Sequence, residues 1–181
     1  MMSKQNLRSF RLPEGFRGRG AIVCQLWWIV QALFFSTSPQ FMYGYRVFIL
    51  RIFGAKIGKA VRIRPSVKFT FPWKVVIGDY SWIGDDVVFY SLGEIEVGKN
   101  VVISQKSYLC TGTHDYRDNT FPIFAHKITI EDEVWIASDV FINPGIKVER
   151  GAVVGARSLV TKNLTAGGVY IGSPAEKVSE R

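Results

Sequence analysis

His114 and Asp115 are neighbouring residues whose side chains could together move a proton. A neutral imidazole can take a proton from a hydroxyl near neutral pH, and a carboxylate beside it can hold the other ring nitrogen and fix the tautomer. His114 is therefore a candidate catalytic residue, and Asp115 is a candidate for the group that orients its ring. The second histidine, His126, follows in the same segment and is predicted to be structural.

Several other kinds of catalytic site find no support in the sequence. Two histidines, without a His-x-x-x-His pair or a cysteine cluster, do not provide a zinc site, so we predict no metal. Neither the Gly-x-Ser-x-Gly motif of serine hydrolases nor a Walker-type glycine loop occurs. Cys24 and Cys110 are far apart and predict small buried side chains in a reducing compartment, the cytoplasm. We recognise no signal-peptide pattern.

The element that must position His114 is a six-residue repeat that starts at Ile57. Its first positions are apolar and its fifth positions are mostly small or β-branched, a period that fits neither a helix nor a single strand. Six extended residues make one flat face of about 20 Å, and three faces close a triangular coil that stacks on the next. The sequence therefore predicts an all-β solenoid. The first positions are Ile57, Ile63, Ile77, Ile83, Phe89, Val97, Ile103, Leu109, Ile130, Ile136, Ile142, Val148, Val154 and Val160. The fifth positions are Val61, Val67, Ser81, Val87, Gly93, Val101, Ser107, Thr113, Val134, Val140, Ile146, Ala152, Ser158 and Leu164.

The repeat breaks after Leu109 and resumes near Ile128. Residues 114–127 are polar at the start and hydrophobic over 121–124, as expected of an arm that leaves the coil and packs on another surface, such as a neighbouring subunit. His114 lies at the root of this arm, where the rigid coil would hold it in place.

The N-terminal third of the chain is basic and aromatic. Residues 1–68 contain twelve of the 23 Lys and Arg residues and one of the 15 acidic residues. Two apolar stretches, 21–35 and 41–53, predict a helical hairpin, and the first is too short to span a bilayer. Two roles stay open: the hairpin caps the open base of the solenoid or packs between subunits, or it also contacts an anionic membrane surface. No nucleic-acid-binding motif accompanies the basic residues, so we predict no nucleic-acid partner.

These patterns predict three parts of the chain. Residues 1–56 form the basic, aromatic helical segment, residues 57–172 form the solenoid with its arm at 114–127, and residues 173–181 form a C-terminal tail.

Two sets of motifs resemble a known family. Residues 128–164 (ITIEDEVWIASDVFINPGIKVERGAVVGARSLVTKNL), followed by GVYIGSPAEKV, resemble the acetyl-CoA signature of hexapeptide-repeat O-acetyltransferases. The N-terminal hairpin and the segment SYLCTGTHDY make the chain similar, from about residue 10 to 178, to colanic acid biosynthesis acetyltransferases. The resemblance implies a left-handed parallel β-helix assembled as a homotrimer, with acetyl-CoA in the grooves between subunits. It also implies acetyl transfer to a sugar hydroxyl in exopolysaccharide biosynthesis, with His114 as the general base.

The resemblance also implies roles for other residues. A backbone N–H from the segment that contains Trp135, Ala137 and Ser138 would stabilise the oxyanion. The remaining acetyl-CoA contacts would be Gly155 and Ala156 beside the pantetheine arm, Thr161 and Lys162 at the nucleotide end, and Arg157 and Lys177 near phosphate. The acceptor contacts would be Asp85, Asp86 and Tyr90, with Asp86 preferred. Many relatives have asparagine near Asp86, which leaves the identity of the acceptor open.

Three functions remain open at this point. The first is O-acetylation of a sugar carried on a membrane lipid diphosphate at the inner face of the cytoplasmic membrane, because both the membrane and such an acceptor are anionic. The second is acetylation of a small soluble acceptor such as a free sugar or serine. The third is a non-catalytic scaffold that binds a partner through the arm.

Overall fold

The computed structural model describes residues 4–181 and shows a parallel β-solenoid of about six turns behind an N-terminal helical segment. The predicted solenoid is confirmed, while the left-handed sense of the coil stays an expectation of the resemblance. Short parallel strands stack into three faces, which we call A, B and C in the order in which the chain visits them.

The strands of each face follow one another from the base of the solenoid upwards. Face A contains β1 (Lys56–Ile57), β4 (Val75–Ile77), β7 (Ile95–Val97), β12 (Ile128–Ile130) and β15 (Lys147–Val148). Face B contains β2 (Arg62–Ile63), β5 (Trp82–Ile83), β8 (Val102–Ile103), β13 (Trp135–Ile136), β16 (Val153–Val154), β18 (Gly168–Ile171) and the antiparallel β19 (Glu176–Glu180). Face C contains β3 (Lys68–Phe69), β6 (Val88–Tyr90), β9 (Tyr108–Cys110), β14 (Phe141–Ile142) and β17 (Leu159–Val160).

All fourteen first positions of the repeat are buried and stack in the interior, as predicted. Two of the fifth-position assignments are wrong, because Gly93 is only half-buried and Thr113 is exposed. Ser91 and Thr111, which directly follow strands β6 and β9 of face C, are fully buried instead. Their hydroxyls bond the backbone of adjacent coils, Ser91 to Phe71 and Thr111 to the carbonyl of Tyr90.

The reason lies in the lengths of the coils. Ile57 pairs with Ile77 in the first coils, a repeat of twenty residues, whereas Ile130 pairs with Val148, a repeat of eighteen. The extra residues of the early coils lie between faces C and A, at what we call the C–A corner. The arm is a longer insertion at the same corner, which makes it the site where the coil tolerates added chain.

The predicted helical hairpin is confirmed. Helix α1 (Ala21–Val30) continues as a π-helical turn (Gln31–Phe35), and helix α2 is Tyr43–Ile52. The hairpin covers the base of the solenoid, where the first coil would otherwise leave its backbone groups unpaired. The indole of Trp27 donates to the carbonyl of Phe69 at 2.8 Å, and the side-chain amide oxygen of Gln31 accepts from the backbone N–H of Phe69 at 2.7 Å.

Arg46 of helix α2 is fully buried beneath the first coil. Its guanidinium donates to the carbonyl of Ile63 at 2.7 Å, to the hydroxyl of Ser38 at 2.9 Å, and to the carbonyls of Pro39 and Gln40. Burial is the main reason why the pKa of Arg46 is lowered. The capping role that the sequence left open is therefore present in the structure.

The arm begins with an antiparallel pair, β10 (Gly112–His114) and β11 (Ile123–Ala125). Part of the arm packs on its own chain, because Ile123 and Ala125 contact a buried cluster that includes Leu92 and Cys24. Phe124 remains 45% exposed.

Candidate active site

His114 ends strand β10 and is half-buried under the tip of the arm. Its Nδ1 lies 3.0 Å from the carbonyl oxygen of Phe121, and its ring stacks on the Phe121 ring with centroids 4.1 Å apart. A carbonyl can only accept, so Nδ1 carries the proton of the neutral imidazole and Nε2 keeps its lone pair. This is the tautomer that a general base needs.

The predicted pairing of Asp115 with that ring nitrogen is wrong. The Asp115 carboxylate accepts a hydrogen bond from the backbone N–H of Arg117 at 2.9 Å, and the backbone N–H of Asp115 donates to the carbonyl of Pro122. Asp115 therefore shapes the turn at the start of the arm, and the backbone of Phe121 takes the orienting role.

A second aromatic ring reaches His114 from the N-terminal segment. The Phe10 ring centroid lies 6.3 Å from that of His114, and the N–H of Asn6 donates to the carbonyl of Asn119 in the arm at 2.7 Å. The residues that hold the imidazole, Phe121 and Phe10, were not assigned to the site from the sequence. Only the hydrophobic character of 121–124 hinted at one of them.

Tyr90 lies at the end of β6, below the arm. Its ring contacts that of Tyr108, with centroids 6.0 Å apart. Burial raises the pKa of Tyr108 and that of the Cys110 thiol, so both stay protonated at neutral pH. The Tyr108 phenol and the Cys110 thiol therefore add no negative charge to strand β9.

The other corner of interest joins faces B and C, and we call it the B–C corner. Its two-residue turns place the second residue in the left-handed region, including Asp86, Asp139 and Arg157 with φ near +60°. Three coils of this corner carry candidates, and the coil of Gln105 lies between the first and the second of them: Asp85 and Asp86, then Ala137 and Ser138, then Gly155, Ala156 and Arg157. Trp135, 46% exposed, projects from face B beside it.

The two acceptor candidates at this corner differ in their contacts. The Asp85 carboxylate pairs with Arg64 at 2.9 Å and accepts from Ser66 at 3.2 Å. The hydrogen bond with Asp85 raises the pKa of Arg64. Asp86 is exposed on the turn, with its backbone N–H bonded to Ser66. This difference favours Asp86 over Asp85 for contact with a ligand.

The segment predicted to supply an oxyanion donor has most of its N–H groups in use. Trp135 N–H donates to the carbonyl of Ala152 at 3.0 Å, and Ala137 N–H donates to that of Val154 at 2.9 Å. Both bonds belong to the ladder between coils, so neither residue can donate to an oxyanion. The indole of Trp135 bonds the hydroxyl of Ser104 at 3.1 Å.

The predicted phosphate contacts lie in the upper coils and carry ion pairs of their own. Lys162 follows β17 at the C–A corner, next to the exposed Thr161, and pairs with Glu176 at 3.0 Å. Lys177 pairs with Glu180 at 2.5 Å, and Arg157 lies 3.7 Å from Asp139. Exposed pairs of this kind contribute about 0–1 kcal/mol, so an anionic ligand can compete for these cations.

One chain alone does not bring the candidates together. His114, Asp115, Thr161 and Lys162 lie at the C–A corner, whereas the acceptor candidates Asp85 and Asp86, the Ala137–Ser138 pair and residues 155–157 lie at the B–C corner. The width of face C, about 20 Å for six extended residues, separates the two groups.

Within residues 4–181, His, Cys, Asp and Glu side chains form no cluster of three or more that could hold a metal ion. In the same range, no helix combines the length and apolar character needed to cross a bilayer.

Solved structures with the same architecture define the class. A hexapeptide-repeat acetyltransferase from Vibrio cholerae superposes with a TM-score of 0.82 at 24% identity, covering 93% of this chain and 98% of that one. A galactoside acetyltransferase in complex with coenzyme A superposes with a TM-score of 0.79 at 23% identity, covering 99% and 91%. The fold is that of the hexapeptide-repeat acetyltransferases.

Sequence relatives narrow the class to a family. WcaF of Escherichia coli (strain K12), whose name assigns it as a colanic acid biosynthesis acetyltransferase, is 56% identical over 177 residues, covering 98% of this chain and 97% of that protein. Galactoside O-acetyltransferase of the same organism is 31% identical over 130 residues, covering 70% and 64%. No protein-family model matches the sequence. The chain belongs to the colanic acid biosynthesis acetyltransferase family, which confirms the resemblance.

Proposed function

We propose that the protein transfers the acetyl group of acetyl-CoA to a sugar hydroxyl of an exopolysaccharide precursor, with His114 as the general base. The observation that carries the proposal is the bond between Nδ1 of His114 and the carbonyl of Phe121, which leaves Nε2 free to accept a proton.

The chemistry needs one proton relay. Nε2 of His114 takes the proton of the sugar hydroxyl as its oxygen attacks the thioester carbonyl, and the negative charge moves to the carbonyl oxygen. When that intermediate collapses, the carbon–sulfur bond breaks and the imidazolium returns its proton to the departing thiolate. The products are the acetyl ester and coenzyme A.

The developing oxyanion needs a donor aimed at it. Within the segment that contains Trp135 and Ala137, the ladder already uses the N–H groups of both residues. We therefore assign the role to the N–H of Ser138, which lies on the turn of the B–C corner next to Asp139.

The division of the candidates between two corners supports a homotrimer. In a ring of three subunits, the C–A corner of one subunit can face the B–C corner of the next, which places His114 opposite Ser138 across each boundary. Acetyl-CoA would then lie in that groove, between Trp135, Gly155 and Ala156 on one side and Thr161 and Lys162 on the other, with Arg157 and Lys177 near its phosphates.

Two solved neighbours support the choice of acetyl donor. The Vibrio cholerae acetyltransferase is known in complex with acetyl-CoA, and the galactoside acetyltransferase in complex with coenzyme A. Isothermal titration of this protein with acetyl-CoA tests the point directly. Absence of binding would instead favour the non-catalytic scaffold.

The hairpin supports membrane contact in addition to its capping role. Its outer surface carries large exposed apolar side chains, with Ile22 at 84% and Phe41 at 80%. The exposed Arg19 and Arg51 lie close to them along the chain. The large exposed apolar side chains of the hairpin are Ile22, Val23, Leu26, Trp28, Ile29, Leu33, Phe34, Phe41, Phe48 and Ile52. An apolar surface beside basic residues favours anionic lipid interfaces, which supports the proposal that the protein acts in the cytoplasm at the inner face of the membrane, next to a lipid-linked acceptor.

Flotation with anionic liposomes tests this part of the proposal. The wild-type protein should float, and the double variant Phe41→Ser with Phe48→Ser should not. Tyr116→Ser, which removes an equally exposed aromatic from the arm, should float as the wild type does. A wild-type protein that stays at the bottom while fully acetylating a free monosaccharide would favour the small soluble acceptor.

A further inference from the structure

A cavity of about 310 Å³ lies on the outside of face B, near the base of the solenoid. Arg62 and Trp82 on face B, Arg64 and Gln105 at the B–C corner, and Tyr43 of helix α2 line it. Two arginines and no acidic side chain contribute to this lining. The cavity is therefore an aromatic and cationic pocket, and none of the assigned acetyl-CoA contacts lies in it.

Arg62 has the geometry of an anion-binding side chain. Its guanidinium lies over the Trp82 ring, 5.1 Å from the ring centroid. Stacking on an aromatic face leaves the N–H edge of a guanidinium free to bond an oxyanion with two parallel hydrogen bonds. Within residues 4–181, none of the ion pairs includes Arg62.

The surroundings add positive charge. Arg64 pairs with Asp85 at 2.9 Å, whereas Arg62, two residues earlier, takes part in no ion pair within residues 4–181. Buried Arg46 lies behind them, close enough that the charge of Arg64 adds to the effect of burial in lowering its pKa. The local charge is therefore positive, which favours an anionic ligand.

The distance from the pocket to the proposed site of acetyl transfer matches the length of a short saccharide. The outward residues of face B stack in register from Arg62 through Trp82 and Val102 to Trp135. Three steps between neighbouring strands, about 4.8 Å each, make a span of about 14 Å along the groove. A short saccharide with its anionic group at Arg62 would reach the level of Ser138, and Trp82 would offer it a flat ring on the way.

We propose that the pocket of Arg62, Arg64, Trp82 and Tyr43 binds the diphosphate of a glycosyl diphosphate acceptor. The inference rests on the proposed acetyl transfer to a sugar hydroxyl, and it adds the group that anchors the sugar. Planar guanidinium groups match phosphate oxygens, and a diphosphate offers oxygens to both arginines at once.

Matched variants of one coil test the binding step. Arg62→Gln removes the free guanidinium, while Lys56→Gln and Lys68→Gln remove a charge from the equivalent outward positions of faces A and C in the same coil. Isothermal titration with inorganic pyrophosphate should show binding that weakens about tenfold in Arg62→Gln. Both lysine variants should bind as the wild type does. A wild-type protein that does not bind pyrophosphate, or an Arg62→Gln affinity equal to that of Lys68→Gln, would overturn the proposal.

Kinetics separate this inference from the proposed function. The ratio of kcat/KM for a diphosphate-linked sugar to that for the methyl glycoside of the same sugar should exceed one in the wild type and fall about tenfold in Arg62→Gln. A nucleotide sugar and a polyprenyl-diphosphate sugar in vesicles are the two acceptors to compare, and the better one identifies the source of the diphosphate. Equal acetylation of diphosphate-linked sugar and methyl glycoside would remove the pocket's role while leaving acetyl transfer intact. Acetylation of neither, with pyrophosphate still bound, would argue against the proposed function alone.

Discussion

Mixed assemblies of two defective subunits test whether neighbouring chains of the proposed trimer share the active site. His114→Asn removes the base at the C–A corner, and Ala156→Trp places an indole on the exposed turn of the B–C corner, where the acetyl-CoA groove is proposed. If His114 of one subunit works against the B–C corner of the next, any trimer that contains both variants has one intact site in three, whichever variant is in the majority. Such trimers should turn over at about one third of the wild-type rate.

The assay needs trimers of known composition. The two variants carry different affinity tags, are expressed together and are purified on both tags in sequence, and acetyl transfer is then measured on the acceptor that the wild type uses. Doubly tagged His114→Asn trimers are the matched control and should stay inactive. Inactive mixed trimers, beside fully active doubly tagged wild-type trimers, would refute the shared site, because a site within one chain is defective in every subunit.

Three further predictions concern the cap, the thiol and the arm. Arg46→Met leaves buried carbonyl groups at the base of the solenoid without donors, which should lower the free energy of unfolding by about 3 kcal/mol and Tm by about 10 °C. The control Lys56→Met, on the exposed side of the first coil, should shift Tm by less than about 2 °C. Equal shifts of Tm by calorimetry would contradict the capping role. Partial burial raises the pKa of Cys110, so little thiolate is present near neutral pH. Iodoacetamide should therefore label Cys110 about tenfold more slowly than it labels glutathione, and the rate should increase only above the pH at which a free thiol ionises. Equal labelling rates by mass spectrometry would argue against the raised pKa. Phe121→Ala removes the ring stacked on His114 and should lower kcat about tenfold with little change in KM. Phe124→Ala, on the exposed side of the arm, should leave both constants unchanged. Equal kcat values for the two variants in steady-state kinetics would exclude a positioning role for Phe121.

The repeat made the interior of the solenoid predictable, because each coil must bury its first-position side chain against the next one. Ile57, Ile103 and Val154 are examples, all buried. The C–A corner was harder, since added residues there shift the frame without disturbing the faces. For that reason Gly93 and Thr113 were misassigned, and Ser91 and Thr111 were missed.

The site was predictable only in part. The break in the repeat located His114, but its orienting partner is a backbone carbonyl seven residues away, which depends on how the arm turns back and not on residue type. The pocket at the base was also missed. Arg62 and Arg64 stood in a basic segment, and only the stacking of strands β2 and β5 places Trp82 beneath the guanidinium of Arg62.

Transfer of a radiolabelled acetyl group from acetyl-CoA to a purified saccharide acceptor, measured for His114→Asn and His126→Asn, tests the central claim most directly. His114→Asn should lower turnover by about 10²–10⁴-fold, the contribution expected of a general base, with the affinity for acetyl-CoA preserved. His126→Asn, which changes an exposed histidine of the same arm, should stay within about twofold of the wild type. Equal turnover in the two variants would contradict the assignment of His114 as the base.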